Sequence, residues 1–278
     1  MQGIVIKKNA NLYTIYSDNK IYNVSPSGKT KEKGVFVGDI VEFSQTINSV
    51  YQRKNLLIRP PVANLDKMFI VVAPSPKPDF VLVDKILIYC YINKIKPYLI
   101  INKSDMASDD FVDGIEKDYS SFVEIIKVSA KDNILQSLEN EIDGVCALAG
   151  QSAVGKSSII NSLFDENVTE VGNLSKKIER GKQTTRIVSL YKIGRGFLAD
   201  TAGFSLLDLN MISDIEKDEL SSFYPDFLEA RSKCKYRSCL HEGGDCGIIK
   251  YVKEGKISQN RYLNYLKILN EIKNSKKY

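Results

Sequence analysis

No apolar run in the 278 residues approaches the length of a membrane span; Met68–Ala73 is among the longest, and it stops at Pro74. The N-terminal MQGIVIKKNA lacks the long apolar stretch of a secretory leader. These two absences predict a cytoplasmic chain with no membrane partner. Cysteine is sparse and odd in number, five in all, which argues against a disulfide framework where no leader is present. Histidine occurs once. The sequence holds no internal repeat and no low-complexity segment.

What is present fits a globular protein. The hydrophobic share is 43%, enough to bury a core, and the length allows one large domain or two to three small ones. The net charge of +5 is uneven. Residues 1–63 hold 9 basic and 4 acidic residues, 64–207 hold 17 and 19, and 208–278 hold 13 and 11. The basic excess thus lies at the two ends, as a polyanionic partner would favour, although drift in a Lys-rich composition gives the same pattern.

Three regions are expected. Residues 1–60 read as short strands, Gly3–Lys7, Leu12–Ser17, Lys20–Val24 and Asp39–Phe43, with no long helix. With the basic surplus, that pattern suggests a small β-barrel of the OB-fold kind; the alternative is an SH3-like barrel or another β-module. Arg59-Pro60-Pro61 reads as a linker. Residues 64–207 alternate strands and helices, an α/β pattern: strand Lys67–Val72, helix Phe80–Ile92, strand Pro97–Ile101, helix Asp109–Tyr119, strand Glu124–Val128, helix Asn133–Ile142, strand Val145–Leu148, helix Lys156–Phe164, and strands Ile187–Ile193 and Gly196–Leu198. Residues 208–278 read as helical, ending in a helix near Ser258–Asn274. Its stripe of Tyr262, Tyr265, Leu266 and Leu269 is expected to pack inward.

The chemistry lies in the loops. Gly150-Gln151-Ser152-Ala153-Val154-Gly155-Lys156-Ser157 matches G-x-x-x-x-G-K-S between an apolar strand and a helix. Such a loop wraps backbone N–H groups around phosphates at a helix N-terminus. Lys156 is expected to reach the β- and γ-phosphates and Ser157 to ligate Mg²⁺, and the nucleotide-binding set runs on to Ser158. In Asn102-Lys103-Ser104-Asp105, a carboxylate at Asp105 can accept from guanine N1–H and N2 together, where adenine offers an acceptor at N1. Lys103 can lie over the base and Asn102 can tie loops together. In Ser129-Ala130-Lys131 a backbone N–H is expected to contact guanine O6.

Asp200-Thr201-Ala202-Gly203 completes the set. Asp200 is expected to hold Mg²⁺ through a water, and the Gly203 N–H to sense the γ-phosphate. Phe204 stands where many GTPases have a water-orienting glutamine, so slow intrinsic hydrolysis is expected. In Arg180–Arg186, Thr185 is favoured over Thr184 as a further Mg²⁺ ligand, and Gln183 is the nearest water-positioning amide; the alternative for this run is a solvated basic loop. The guanine-reading loops precede the phosphate loop, the reverse of the usual GTPase order, so the chain looks like a circularly permuted P-loop GTPase that binds GTP and GDP.

Cys234-x4-Cys239-x-His241-x4-Cys246 offers three thiolates and the only imidazole, a donor set suited to one structural, tetrahedral Zn²⁺; reduced cysteines without metal are the alternative.

Together, the permuted motifs, the β-module and the Cys-Cys-His-Cys cluster resemble the small-ribosomal-subunit-dependent GTPase A (RsgA/YjeQ) family. Val37–Phe43 and Arg59–Asp66 look like that family's barrel and linker segments. The resemblance implies an OB-fold at 1–63 that binds RNA, a permuted GTPase domain at 64–207 and a zinc-binding helical domain at 208–278. It also implies GTP hydrolysis late in assembly of the small (30S) ribosomal subunit, stimulated by that particle. A monomer bound to the subunit and its rRNA is expected. The sequence departs from the family at Gln183, where histidine is usual, and in a His241–Cys246 spacing one residue short. Two competing readings are a module that senses GTP without hydrolysing it appreciably, and a GTPase acting at a membrane or on tRNA.

Overall fold

The computed structural model describes residues 1–58, 60–167, 188–200, 212 and 214–275. The chain divides into two compact units. One comprises Met1–Phe69, Ser129–Ala149 and Gly155–Asp208; the other comprises Ile70–Val128, Gly150–Val154 and Leu209–Tyr278.

The first unit opens with a closed five-stranded barrel. Strands β1 (Gln2–Asn9), β2 (Leu12–Ser17) and β3 (Lys20–Pro26) form an antiparallel meander. Period-two patterning drives it: in β2, Tyr13, Ile15 and Ser17 are buried and the residues between them are not. Asp18 and Asn19 join β2 to β3 with φ of 50° and 59°, the left-handed pair that a tight type I′ turn requires. A short helix, α1 (Gly28–Lys33), follows, its first turn capped by Ser27. Strands β4 (Ile40–Phe43) and β5 (Thr46–Val50) then close the barrel: β5 pairs parallel with β3, and β4 pairs antiparallel with both β5 and β1. Val5, Ile15, Val41, Phe43 and Ile47 fill the interior. This connectivity, with its helix between the third and fourth strands, is that of an OB-fold rather than an SH3-like barrel.

Within the expected linker Arg59-Pro60-Pro61, Pro61 instead opens strand β7 (Pro61–Ala63), which pairs with β6 (Leu56–Ile58) so that Ile58 faces Pro61; Arg59 lies outside the described residues. Proline is tolerated there because it is the first residue of a strand in a two-stranded sheet. Beside this hairpin Gly38 has φ +89°, and a Cβ on it would fall 2.0 Å from the Ala63 carbonyl oxygen. Its carbonyl accepts from Asn64 Nδ2 at 2.9 Å.

Strand β8 (Leu65–Val72) runs from the first unit into the second. In the first unit its neighbour is β11 (Val145–Ala149), then β13 (Gly196–Asp200), parallel to β11, then β12 (Ser189–Ile193), antiparallel to β13. All five residues of β11 are buried, as expected of a strand covered on both faces. Helix α4 (Gln136–Asn140) is shorter than the pattern Asn133–Ile142 predicts. Asn133 has φ +60°, and Ser129 and Ile134 exchange backbone hydrogen bonds, so the first residues are taken by a turn.

In the second unit β9 (Lys96–Ile101) lies next to β8, and β10 (Glu124–Lys127) pairs parallel with β9. Helices α2 (Phe80–Ile92) and α3 (Asp109–Tyr119) connect them. After Ile212 the described chain is helical, with short helices Leu228–Arg231 and Gly247–Lys253 and a C-terminal helix, Gln259–Ser275. Tyr262, Tyr265 and Leu269 of the C-terminal helix are buried and Leu266 is partly so, as the stripe predicts, in a core with Tyr224 and Phe227.

Candidate nucleotide and metal sites

Within the second unit, Asn102 follows β9 directly and is buried. Its backbone N–H donates to Val72 O and its Nδ2 to Val154 O, both at 2.9 Å. The Asn102–Asp105 motif is thereby fixed to the backbone of the loop Gly150–Val154, 52 residues later in the chain. Lys103 sits in the left-handed region at φ +58°, and its ammonium donates to Ser75 O at 2.7 Å and Ala153 O at 3.1 Å. Asp105 lies in a single 3-10 turn, Ser104–Met106, with its side chain exposed.

The loop Gly150–Val154 leaves β11 through a glycine that has no substitute. Gly150 has φ +129°, and a Cβ there would lie 2.4 Å from Val71 O. The Gln151 side chain accepts from Asp79 N at 3.2 Å, while Asp79 caps α2 by accepting from Leu82 N at 3.0 Å. Val154 is buried; Ser152 and Ala153 are exposed, and Ala153 has φ +64°.

Within the first unit the loop continues through Gly155, at φ +96°, into helix α5 (Lys156–Asn167). Ser157 and Ser158 are exposed in its first turn. Lys156 is half-buried, and burial lowers its pKa from the usual lysine value. A phosphate would oppose that effect. The buried Ser129 is held in a tight turn: its hydroxyl donates to Asp132 Oδ2 at 2.9 Å and accepts from Asp132 N at 3.2 Å. Ala130 O accepts from Ser162 Oγ of α5 at 3.1 Å, and Lys131 is exposed. Asp200 ends β13, opposite Ser189. Thr184, Thr185, Gln183, Gly203 and Phe204 lie outside the described residues.

The donor atoms of Cys234, Cys239, His241 and Cys246 all lie within 4.8 Å of one another. His241 Nδ1 is 3.5 Å from Cys234 Sγ and 3.4 Å from Cys246 Sγ, and the two sulfurs are 3.9 Å apart. A zinc tetrahedron with Zn–S of about 2.3 Å and Zn–N of about 2.0–2.1 Å sets S···S near ~3.8 Å and S···N near ~3.5 Å, so the cluster fits that metal. Burial pushes Cys246 up to about 12, with the neighbouring cysteines adding to the effect, and pushes His241 down to about 4. The imidazole is therefore neutral and ready to ligate, and a dication would reverse the thiol's preference. The C-terminal helix grips the ligand loop by its backbone. Tyr262 donates to His241 O at 2.7 Å, and Tyr265 to Leu240 O at 3.1 Å.

The C-terminal helix also carries a residue that the sequence pattern does not single out. Arg261 is buried and donates to Asp84 of α2 and, at 2.9 Å, to Asp226 Oδ1. Its guanidinium carbon lies 4.5 Å from the Phe122 ring centroid and 4.6 Å from that of Tyr224. Arginine is mostly exposed in proteins, so only its place on the tyrosine-bearing face could have hinted at burial.

Known proteins supply the context. The model of a family described as RsgA GTPase matches residues 50–210. The small ribosomal subunit biogenesis GTPase RsgA of Staphylococcus carnosus (strain TM300) is 36% identical, over 99% of this chain and 98% of its own. The protein of the same name from Clostridium acetobutylicum is 35% identical over the whole of both chains. The crystal structure of YjeQ from Thermotoga maritima superposes with a TM-score of 0.82, at 30% identity and 98% coverage of each chain. That of YloQ, described as a circularly permuted GTPase, gives 0.82 at 27% identity, over 100% of this chain and 96% of that one.

Proposed function

Because the chain belongs to the RsgA GTPase family, we propose that it hydrolyses GTP to GDP and phosphate as a late maturation factor of the small (30S) ribosomal subunit, with turnover stimulated by that particle. One observation carries the nucleotide reading: Asn102 Nδ2 bonds Val154 O, tying the guanine-type motif to the phosphate-type loop in the permuted order. The ribosomal reading rests on likeness along the whole chain to relatives named for that role.

The chain works as an OB-fold for rRNA at residues 1–63, a permuted GTPase domain at 64–207 and a zinc-binding helical domain at 208–278. Asp105 reads guanine, Lys103 covers the base, and Ser129, Ala130 and Lys131 complete the base contacts. Backbone N–H groups of Gly150–Ser158 hold the phosphates, and Lys156 neutralises charge that builds on the β- and γ-phosphates. Ser157 and Thr185, with Asp200 through a water, would hold Mg²⁺, which supplies further charge neutralisation. The Gly203 N–H senses the γ-phosphate, and Gln183 orients the attacking water in place of Phe204. Cys234, Cys239, His241 and Cys246 hold one structural Zn²⁺. The protein acts as a cytoplasmic monomer; among the described residues no helix is long and apolar enough to cross a membrane.

The test is GTP turnover of the purified protein alone, with small subunits and with large subunits. Stimulation by the small subunit alone is expected. Equal rates in all three would overturn the proposal.

A further inference from the structure

The loop between the first two metal-ligating cysteines has features that the core does not explain. From Arg231 to His241 the sequence carries four cations and no carboxylate. Lys233, Lys235 and Arg237 are exposed. Between them stands Tyr236, 64% exposed. The neighbouring aromatics Tyr224, Phe227, Tyr262 and Tyr265 are all buried, so an outward tyrosine here contributes nothing to that core. The Lys235 ammonium lies 5.5 Å from the Tyr236 ring centroid. Cys239 N donates to Tyr236 O at 3.3 Å, closing the segment as a turn. Cys234 and Cys239, two of the four residues that would hold a metal, flank this segment, so with that metal bound little freedom would remain to be lost when something docks on the ring.

We propose that Lys235-Tyr236-Arg237 is a stacking platform for an unpaired RNA base: the base covers the open face of Tyr236, and the neighbouring cations hold its flanking phosphates. This rests on the reading of ribosomal RNA as the partner. Four cations without a carboxylate select a polyanion. An outward ring beside a cation selects a base, because every base has a π-face and stacking needs no particular sequence. The base is unpaired because a ring reaches a base face only where the stack is open.

The sequence has no tryptophan, so Tyr236→Trp places a sole indole reporter at the site. Its emission should be quenched by small subunits and by a short single-stranded RNA of mixed sequence, and much less by the same strand in duplex form. Tyr236→Ala should weaken binding of the single strand roughly 5- to 100-fold, while Tyr236→Phe binds as wild type does. Arg237→Gln should weaken single strand and duplex alike. Each variant is compared with wild type for metal content and thermal midpoint, which an exposed substitution should leave unchanged.

Wild-type binding of small subunits with no quenching and no loss in Tyr236→Ala would overturn the platform and leave the ribosomal function standing. Failure of wild type to bind the subunit would instead remove that function, and quenching by the RNA strand would then still support the platform. Quenching by subunit proteins but not by RNA would assign the surface to a protein partner and overturn the proposal.

Discussion

Asn102 and Asp105 lie three positions apart and do different work. Asn102 is buried and bonded to two backbone carbonyl-bearing segments, so it builds the loop; Asp105 is exposed on the 3-10 turn, where a base can reach it. Asp105→Asn should therefore weaken GTP binding. A missing acceptor for guanine costs about 1–3 kcal/mol, roughly 5- to 150-fold in affinity, and xanthine nucleotides should gain in relative terms. Calorimetric titration with GTP and XTP checks this, and unchanged GTP affinity would remove Asp105 from base recognition. Gln183→Ala should keep GTP and subunit binding yet lose much of the subunit-stimulated turnover, since an amide that orients water acts only on the reacting complex. Stimulation equal to wild type would assign the water to another group.

At the scale of elements, the C-terminal helix is fixed by its charges as well as its apolar stripe. Arg261 is held by Asp84 and Asp226, and Tyr119 donates to the same Asp84 oxygen at 3.0 Å. Burial raises the Asp84 carboxyl to about 6 even though Arg261 pulls it down. Removing only the cation strands both carboxylates, so Arg261→Ala should cost about 3–5 kcal/mol, whereas Arg261→Met combined with Asp84→Leu and Asp226→Asn, which removes all three charges, should cost far less. Urea midpoints of the two variants, compared at pH 7.5, test this; equal loss would show that packing rather than charge is at stake. The ligand loop is a second fixed element. Metal analysis after dialysis should give close to one equivalent of zinc per chain, and a strong chelator should lower the thermal midpoint. Protein free of metal as purified under reducing conditions would end that assignment.

These elements were unevenly legible in the sequence. Strand β2, α2 and α3 stand where the patterning put them, because periodicity and caps such as Asp79 and Ser108 act over a few residues. The phosphate-type loop and the cysteine cluster were legible because their chemistry demands fixed spacings. Strand β5 (Thr46–Val50) escaped notice: its pairing with β3 is parallel and long-range, and its own residues, TINSV, carry a weak signal. The hairpin at Leu56–Ala63 was hidden by its prolines. The burial of Arg261 depends on acids 35 and 177 residues away, which no local pattern encodes.

For the whole molecule, residues 1–63 hold 9 basic and 4 acidic residues, an excess that a polyanionic partner would favour. Binding to small subunits should weaken at least tenfold between 50 and 200 mM salt, at a slope of roughly −0.7 to −0.9 per phosphate contact. Co-sedimentation across that range checks it, and a flat profile would remove the electrostatic role.

The separation of Asp84 from Arg261 also sets an order of events during synthesis. The barrel's five strands lie within residues 2–50, so all their partners have been made before β8 begins. The second unit has no such independence. Asp84 is made 177 residues before the guanidinium that balances it, and until then its carboxylate stays better solvated in water than in any core. A nascent chain thus holds every strand of the barrel for most of its translation, while the unit bearing the Asn102–Asp105 motif is completed by one of the last helices to emerge.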